Sequence, residues 1–185
     1  MINKTYKNKD YTTEKLPIDE YEECIFINCN FSNSDLSGRD FIDCRFENCD
    51  LSSTKLGGTS LKTIDFDRCK MLGLNFEDCN PFLFKVSFEG CQLNFSTFYK
   101  LKLKGVNFTD CKLQEVDFTE ANLSNSKFVS CDLNLAIFDR TNLEKADFYS
   151  AKNFNINPSE NRMKGAIFSK QNLEGLVMKF GVKVN

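Results

Sequence analysis

The stretch CIFINCNFSNSDLSGRDFIDC, residues 24–44, decides the fold. Three of the chain's nine cysteines fall within it, and the 185 residues contain no histidine. Phe26, Phe31, Leu36 and Phe41 stand five residues apart, and a cysteine sits two residues ahead of several of these positions. Toward the N-terminus the same spacing runs through Tyr21, Leu16 and Tyr11 to Tyr6. Toward the C-terminus it runs through Phe46, Leu51, Leu56, Leu61, Phe66 and Met71 to Phe76. It fails at Pro81, restarts two residues out of phase at Leu83, and then alternates Phe88, Leu93, Phe98, Leu103 and onward to Phe148. A period of five fits neither a helix at 3.6 nor a flat strand at 2. A unit this short buries its hydrophobic face only by stacking on copies of itself, which makes the chain a solenoid.

Each large residue is the centre of a repeat, and the residue two before it is small or medium: Ser34, Thr54, Thr59, Ser96, Val116, Ala121, Ala146. All nine cysteines (24, 29, 44, 49, 69, 79, 91, 111, 131) occupy this slot. Six of them, Cys29, Cys49, Cys69, Cys91, Cys111 and Cys131, are spaced by 20 residues, or 22 across the slip, and form one column if four repeats make a turn. Cysteine then serves as a small buried hydrophobe. An odd number of cysteines does not suit a closed disulfide framework. No pair has zinc-type spacing, and without histidine there is no His-paired nucleophile. Neither a Walker loop nor a G-x-G-x-x-G segment is present. Adjacent acids such as Glu22–Glu23 and Glu77–Asp78 read as solvated surface. The expectation is a protein with no catalytic residues, no metal and no cofactor.

The segments CNFSN (29–33), SDLSG (34–38), CDLSS (49–53), CKLQE (111–115), VDFTE (116–120), ANLSN (121–125), CDLNL (131–135) and ADFYS (146–150) carry the pattern A/C/S/T/V–D/N–L/F–x–x. In this the chain resembles the pentapeptide-repeat proteins over nearly its whole length. The resemblance implies an all-β fold, a right-handed quadrilateral parallel β-helix with four repeats per coil. About seven to eight coils at ~4.8 Å each make a rod of roughly 35–40 Å. The organisation expected is an N-terminal segment (1–15), the β-helix (16–152) with a two-residue slip at 77–83, a loop and last degenerate coil (153–168), and a terminal helix and short strand (169–185). Pro81 cannot donate to a ladder, so the slip reads as a bulge or bend, with a corner exposing Phe82 or Phe84 as the alternative.

In the tail, FSKQNLEGLVMKFGVKV, Ser169 is placed to cap an α-helix and Gly181 to stop it. Leu173, Leu176, Val177 and Phe180 share one face at helical spacing, and Val182 and Val184 alternate as in a strand. An open β-helix end needs covering. Phe168, Leu173, Leu176, Val177, Phe180, Val182 and Val184 are therefore read as a cap. By similarity to the quinolone-resistance group of the family, they are also read as a homodimer contact.

Charge is uneven. Residues 16–82 hold 13 acids and 6 bases, residues 83–150 hold 9 and 8, and residues 151–185 are basic. The body lacks a basic nucleic-acid footprint. Lys100, Lys102 and Lys104 near Tyr99 read as a solvated face or a small patch for an acidic partner. No apolar run of about 18 residues spans a membrane. The lysines of residues 1–16 precede no apolar run of the secretory kind, so a cytoplasmic location is expected. The bias toward Lys, Asn, Ile and Phe suggests a low-GC bacterial source. The quinolone-resistance group mimics DNA and binds type II topoisomerases, DNA gyrase and topoisomerase IV. The resemblance carries that function here as an expectation, with Asp35, Asp40, Asp43, Glu47, Asp50, Asp65, Asp67, Glu77 and Asp78 as exposed partner-binding acids. The alternative is a scaffold that binds another protein. A continuous negative stripe along the rod favours mimicry, and patchy mixed charge favours the scaffold.

Overall fold

The computed structural model describes residues 1–14, 16 and 20–182. They form a right-handed parallel β-helix with four faces. Every strand pair is parallel, and the register advances by 20 residues, as in Phe26 beside Phe46 and Phe46 beside Phe66. Backbone amides bond from coil to coil: Arg45 N donates to the Cys24 carbonyl at 3.0 Å and Asn48 N to the Asp67 carbonyl at 2.9 Å. Face 1 is centred on Phe26, Phe46 and Phe66, face 2 on Phe31, Leu51 and Met71, face 3 on Leu36, Leu56 and Phe76, and face 4 on Tyr21, Phe41 and Leu61. The solenoid has about six turns, slightly fewer than the seven to eight expected from the sequence.

The repeat pattern has a local cause at each position. Centres point inward, and on face 1 their rings stack in parallel: Phe46–Phe66 at 5.2 Å, Phe88–Phe108 at 5.1 Å and Phe128–Phe148 at 4.6 Å. Past the slip, face 3 carries a second stack, Phe76–Phe98–Phe118–Phe138. It meets the first edge-on at about 5.9–6.0 Å. A fully buried phenylalanine contributes about 1.5–3 kcal/mol, and an aromatic pair adds about 0.5–1.5 kcal/mol beyond area. The slot residue also points inward, and its polar hydrogen reaches the carbonyl of a centre in the coil before. Thr54 Oγ1 donates to the Phe31 carbonyl at 2.8 Å and Thr59 Oγ1 to that of Leu36 at 2.8 Å. Cys49 Sγ does the same to Phe26 at 3.3 Å and Cys91 Sγ to Phe66 at 3.3 Å. Size alone therefore does not explain Cys, Ser and Thr in the slot, since most of them also make a hydrogen bond there, Ser34 Oγ being an exception.

Asp or Asn between slot and centre often closes an Asx turn. Asp35 Oδ1 accepts from Ser37 N at 2.9 Å, Asp50 from Ser52 N at 2.9 Å and Asp117 from Thr119 N at 2.8 Å. The corner two residues after the centre takes a left-handed φ, as at Asn48 (52°) and Gly58 (68°). Asn and Gly bear that conformation with least strain.

The slip is a bulge with an unexpected internal structure. Strand Ser60–Asp67 pairs with strand Asn80–Glu89 as Ser60 with Asn80, Lys62 with Lys85 and Ile64 with Val86. Three residues are inserted opposite Leu61 and one is deleted opposite Thr63, which leaves the net two. The second phase does not start at Leu83. Leu83 is 64% exposed with φ 57°, and Phe84 turns in against the core instead. Phe82, at 66% exposure, projects beside Leu83.

The C-terminal segment departs from the expected α-helix. Lys170–Leu176 and Met178–Phe180 are 3₁₀ turns, and Gly181 closes them at φ 66°. With three residues per turn the spacing i, i+3, i+4, i+7 no longer shares one face. Gly175 presses onto Phe154, where a Cβ would meet the ring at 2.6 Å, and its carbonyl accepts from Ile156 N at 2.9 Å. That seating flattens the segment onto the last coil. Ser169 makes no side-chain cap. Asn172 Nδ2 satisfies the open end instead, donating to the carbonyls of Phe148 at 3.1 Å and Ala151 at 3.0 Å.

Candidate interaction surfaces

All nine cysteines are buried and unpaired by disulfides. Burial pushes the Cys44 thiol up to about 11 and the Cys79 thiol up to about 12. The thiol of Cys111, then burial, raises Cys91 to about 12. Groups held neutral in this way are not nucleophiles at neutral pH. Among the described residues, no group of His, Cys, Asp and Glu is arranged to hold a metal ion.

The nine acids singled out in the sequence are not brought together. Asp65, Asp67 and Glu47 lie on face 1, Asp50 on face 2, Asp35, Glu77 and Asp78 on face 3, and Asp40 and Asp43 on face 4. Asp67 is not exposed: it is 4% accessible, and its Oδ2 takes Arg45 at 2.7 Å and Arg68 at 2.9 Å. Glu47 also pairs with Arg68, at 3.2 Å, and Asp50 with Lys70, at 3.2 Å. Asp65 accepts from the Ser87 hydroxyl. The hydroxyl and amide of Ser37 hold the Asp35 carboxyl below the ordinary carboxylate value. On face 3, Glu120 lies between Lys100 at 3.5 Å and Arg140 at 3.2 Å. Glu47, Asp50, Asp67 and Glu120, on faces 1, 2 and 3, are thus paired with bases, and among the described residues no face is acidic along its whole length.

The densest acidic group is one that the sequence list passed over. Glu20, Glu22 and Glu23 join Asp40 and Asp43 on face 4, with Glu20 beside Asp40 in parallel register. The 20-residue offset between Glu20 and Asp40 was the available signal. The lysine cluster divides at a corner. Lys100 sits on face 3 with its Nζ 4.7 Å from the Tyr99 ring centre, and Lys102 and Lys104 lie on face 4.

The cap set also divides. Phe168 and Leu176 pack against the core, Phe168 stacking on Phe148 at 5.2 Å, and Val177 is half-buried. Leu173, Met178, Phe180 (62%) and Val182 face outward. Val184 lies outside the described residues. Beside them, an open groove of about 910 Å³ runs between the last coils and the terminal turns, lined by Leu135, Tyr149, Phe154, Asn172 and Met178.

A family model for the pentapeptide repeat region matches residues 20–98, 81–157 and 101–178. Among solved structures, a trypsin-treated variant of QnrB1, a plasmid-mediated fluoroquinolone resistance protein, is 19% identical, covers 100% of this chain and 99% of its own, and has a TM-score of 0.50. HetL is a pentapeptide repeat protein involved in heterocyst differentiation regulation from the cyanobacterium Nostoc sp. strain PCC 7120. It is 20% identical over 100% of this chain and 91% of its own, with a TM-score of 0.62. No functionally curated protein matches the sequence. At these identities the likeness is one of fold.

Proposed function

We propose, from the premise that this chain belongs to the pentapeptide-repeat family, that it acts without catalysis, as a cytoplasmic rod that binds other proteins through its outer faces and its C-terminal end. The observation that carries this reading is the mixed charge of the faces. Glu47, Asp50, Asp67 and Glu120 each have a basic partner on the same surface. A duplex mimic needs an uninterrupted negative field along the rod, and paired charges cancel it. The exposed Leu173, Met178, Phe180 and Val182 support self-association through the cap. Phe180→Asp is expected to reduce the solution mass to that of a monomer in light scattering at moderate salt; an unchanged mass overturns the cap contact.

A second reading, binding to a type II topoisomerase, is favoured by the 13 acids against 6 bases in residues 16–82. A DNA gyrase supercoiling assay with this protein titrated in, with and without ciprofloxacin, separates the two. Unchanged supercoiling and unchanged drug sensitivity up to tens of micromolar support the scaffold. Inhibition, or rescue from the drug, replaces it with the topoisomerase reading. Charge reversal at Asp40, Asp43, Glu77 and Asp78 is then expected to abolish the effect.

A further inference from the structure

Face 4 is charged differently from the other three. Its first two coils carry Glu20, Glu22, Glu23, Asp40 and Asp43, and its next three carry Lys62, Lys85, Lys102 and Lys104. Among the described residues, none of these nine side chains forms an ion pair, whereas Arg45, Arg68, Lys70, Lys100, Arg140, Arg162 and Lys179 all do. Face 4 thus carries unpaired charge of both signs in two blocks, acidic in its first two coils and basic in the next three.

We infer that face 4 is a self-complementary surface on which two copies of this chain pair antiparallel, separately from any contact at the cap. The register supplies the argument. The coils centred on Tyr21, Phe41, Leu61, Phe84 and Leu103 follow one another at ~4.8 Å steps. A two-fold axis lying across the face at Leu61 sets the Phe41 coil against the Phe84 coil of the second copy, and the Tyr21 coil against its Leu103 coil. Residues before a centre then meet residues before a centre, and residues after meet residues after. Glu20 faces Lys102, Glu22 faces Lys104, and Asp43 faces Lys85. A two-fold contact makes each pairing twice. Parallel rods would set Glu20 of one copy against Glu22 of the other, acid against acid, so charge selects the antiparallel arrangement.

In the same register Phe82 and Leu83 project from the side of the Phe84 coil that precedes its centre, over Asp40 of the second copy. Lys62 lies in the coil on the axis and faces Lys62 of the second copy, with Asp43 of each copy one coil away at ~4.8 Å. Five coils span only about 24 Å at this rise. The contact is therefore at the small end, below about 1,200 Å² in total, and its charges are screened by salt.

The test is sedimentation velocity in a Phe180→Asp background, which removes the cap contact and isolates face 4. At about 50 mM salt the parent is expected to form dimers, weakened at least tenfold at about 500 mM. One variant carries Glu20→Lys, Glu22→Lys and Asp43→Lys, and the other Lys85→Glu, Lys102→Glu and Lys104→Glu. Each alone is expected to be monomeric, and an equimolar mixture to recover the dimer. All six side chains lie outside the core, and circular dichroism checks that both variants fold. A parent that stays monomeric at several hundred micromolar in low salt overturns the inference. So do reversed variants that self-associate like the parent, or a mixture that fails to associate. None of these outcomes bears on the gyrase assay, so the two readings fail separately.

Discussion

Residues 21–80 and residues 84–148 are two stacks of the same repeat, built differently inside and out. From Phe88 onward the centres alternate Phe and Leu, so two phenylalanine stacks face each other across the rod and meet edge-on. Before the slip the aromatics are scattered over all four faces, as Phe26, Phe31, Tyr21, Phe41 and Phe76 show. The slots differ too. The first stack has six cysteines and the second three, with Val106, Val116, Ala121, Ala136 and Ala146 filling places that make no side-chain hydrogen bond. Outside, the first stack is acidic and the second nearly balanced. The comparison teaches that inward positions tolerate any solution that fills the volume and satisfies the ladder, while outward positions vary independently of it.

The largest expected effect tests the regular stack. Phe108 touches Phe88, Phe98, Phe118 and Phe128 with ring centres at 5.1–6.0 Å. Phe108→Ala is expected to cost about 3–5 kcal/mol in urea unfolding. A loss no greater than that of Leu51→Ala in the first stack would remove the energetic distinction between the two interiors. Next comes the slot hydrogen bond. Thr59→Val keeps shape but removes one of the two hydrogen bonds to the Leu36 carbonyl, which still accepts from Arg39 N at 3.2 Å, a cost of about 0.5–1.5 kcal/mol. Cys111→Ala, which removes a weaker donor from the second stack, is expected to cost about 1 kcal/mol by the same measurement.

The thiols give the comparison a pH dependence. Below the ordinary thiol value of 9.0 both folded and unfolded chains keep their protons, and the contribution is fully present. As pH rises past it the unfolded chain ionises, while the folded chain holds its protons up to about 11 at Cys44 and about 12 at Cys79. Stability is therefore lost between about pH 9 and 12. Replacing Cys44 and Cys79 by Ala is expected to shallow that loss in unfolding midpoints taken across the window, and an unchanged slope would contradict it. The smallest effect is on the surface: Lys70→Gln, which breaks a pair with Asp50 whose two side chains are both well exposed, is expected to change stability by less than about 1 kcal/mol.

Much of the interior was legible because the five-residue period is a property of the chain alone. Phe26, Phe46 and Cys49 are buried where that period places them. Legibility failed where neighbours decide. Leu83 continued the period on paper, yet the insertion opposite Leu61 handed its place to Phe84. The tail had helical spacing, but Gly175 seating on Phe154 holds it in 3₁₀ turns. Asp67 looked like any outward acid, and its burial depends on Arg45 one coil before it and Arg68 beside it in sequence.

The sequence by itself determined the solenoid, the inward slot of the cysteines and the position of the slip, while the four-repeat coil came with the resemblance to the pentapeptide-repeat proteins. The solenoid follows from a period that a chain unable to bury one repeat alone must satisfy by stacking. Only the tertiary structure decided which charges share a face. Residues 20 apart become neighbours ~4.8 Å apart, and residues five apart turn to different sides. The separation of Glu20, Glu22 and Asp43 from Lys85, Lys102 and Lys104 along face 4 therefore exists only once the chain is coiled.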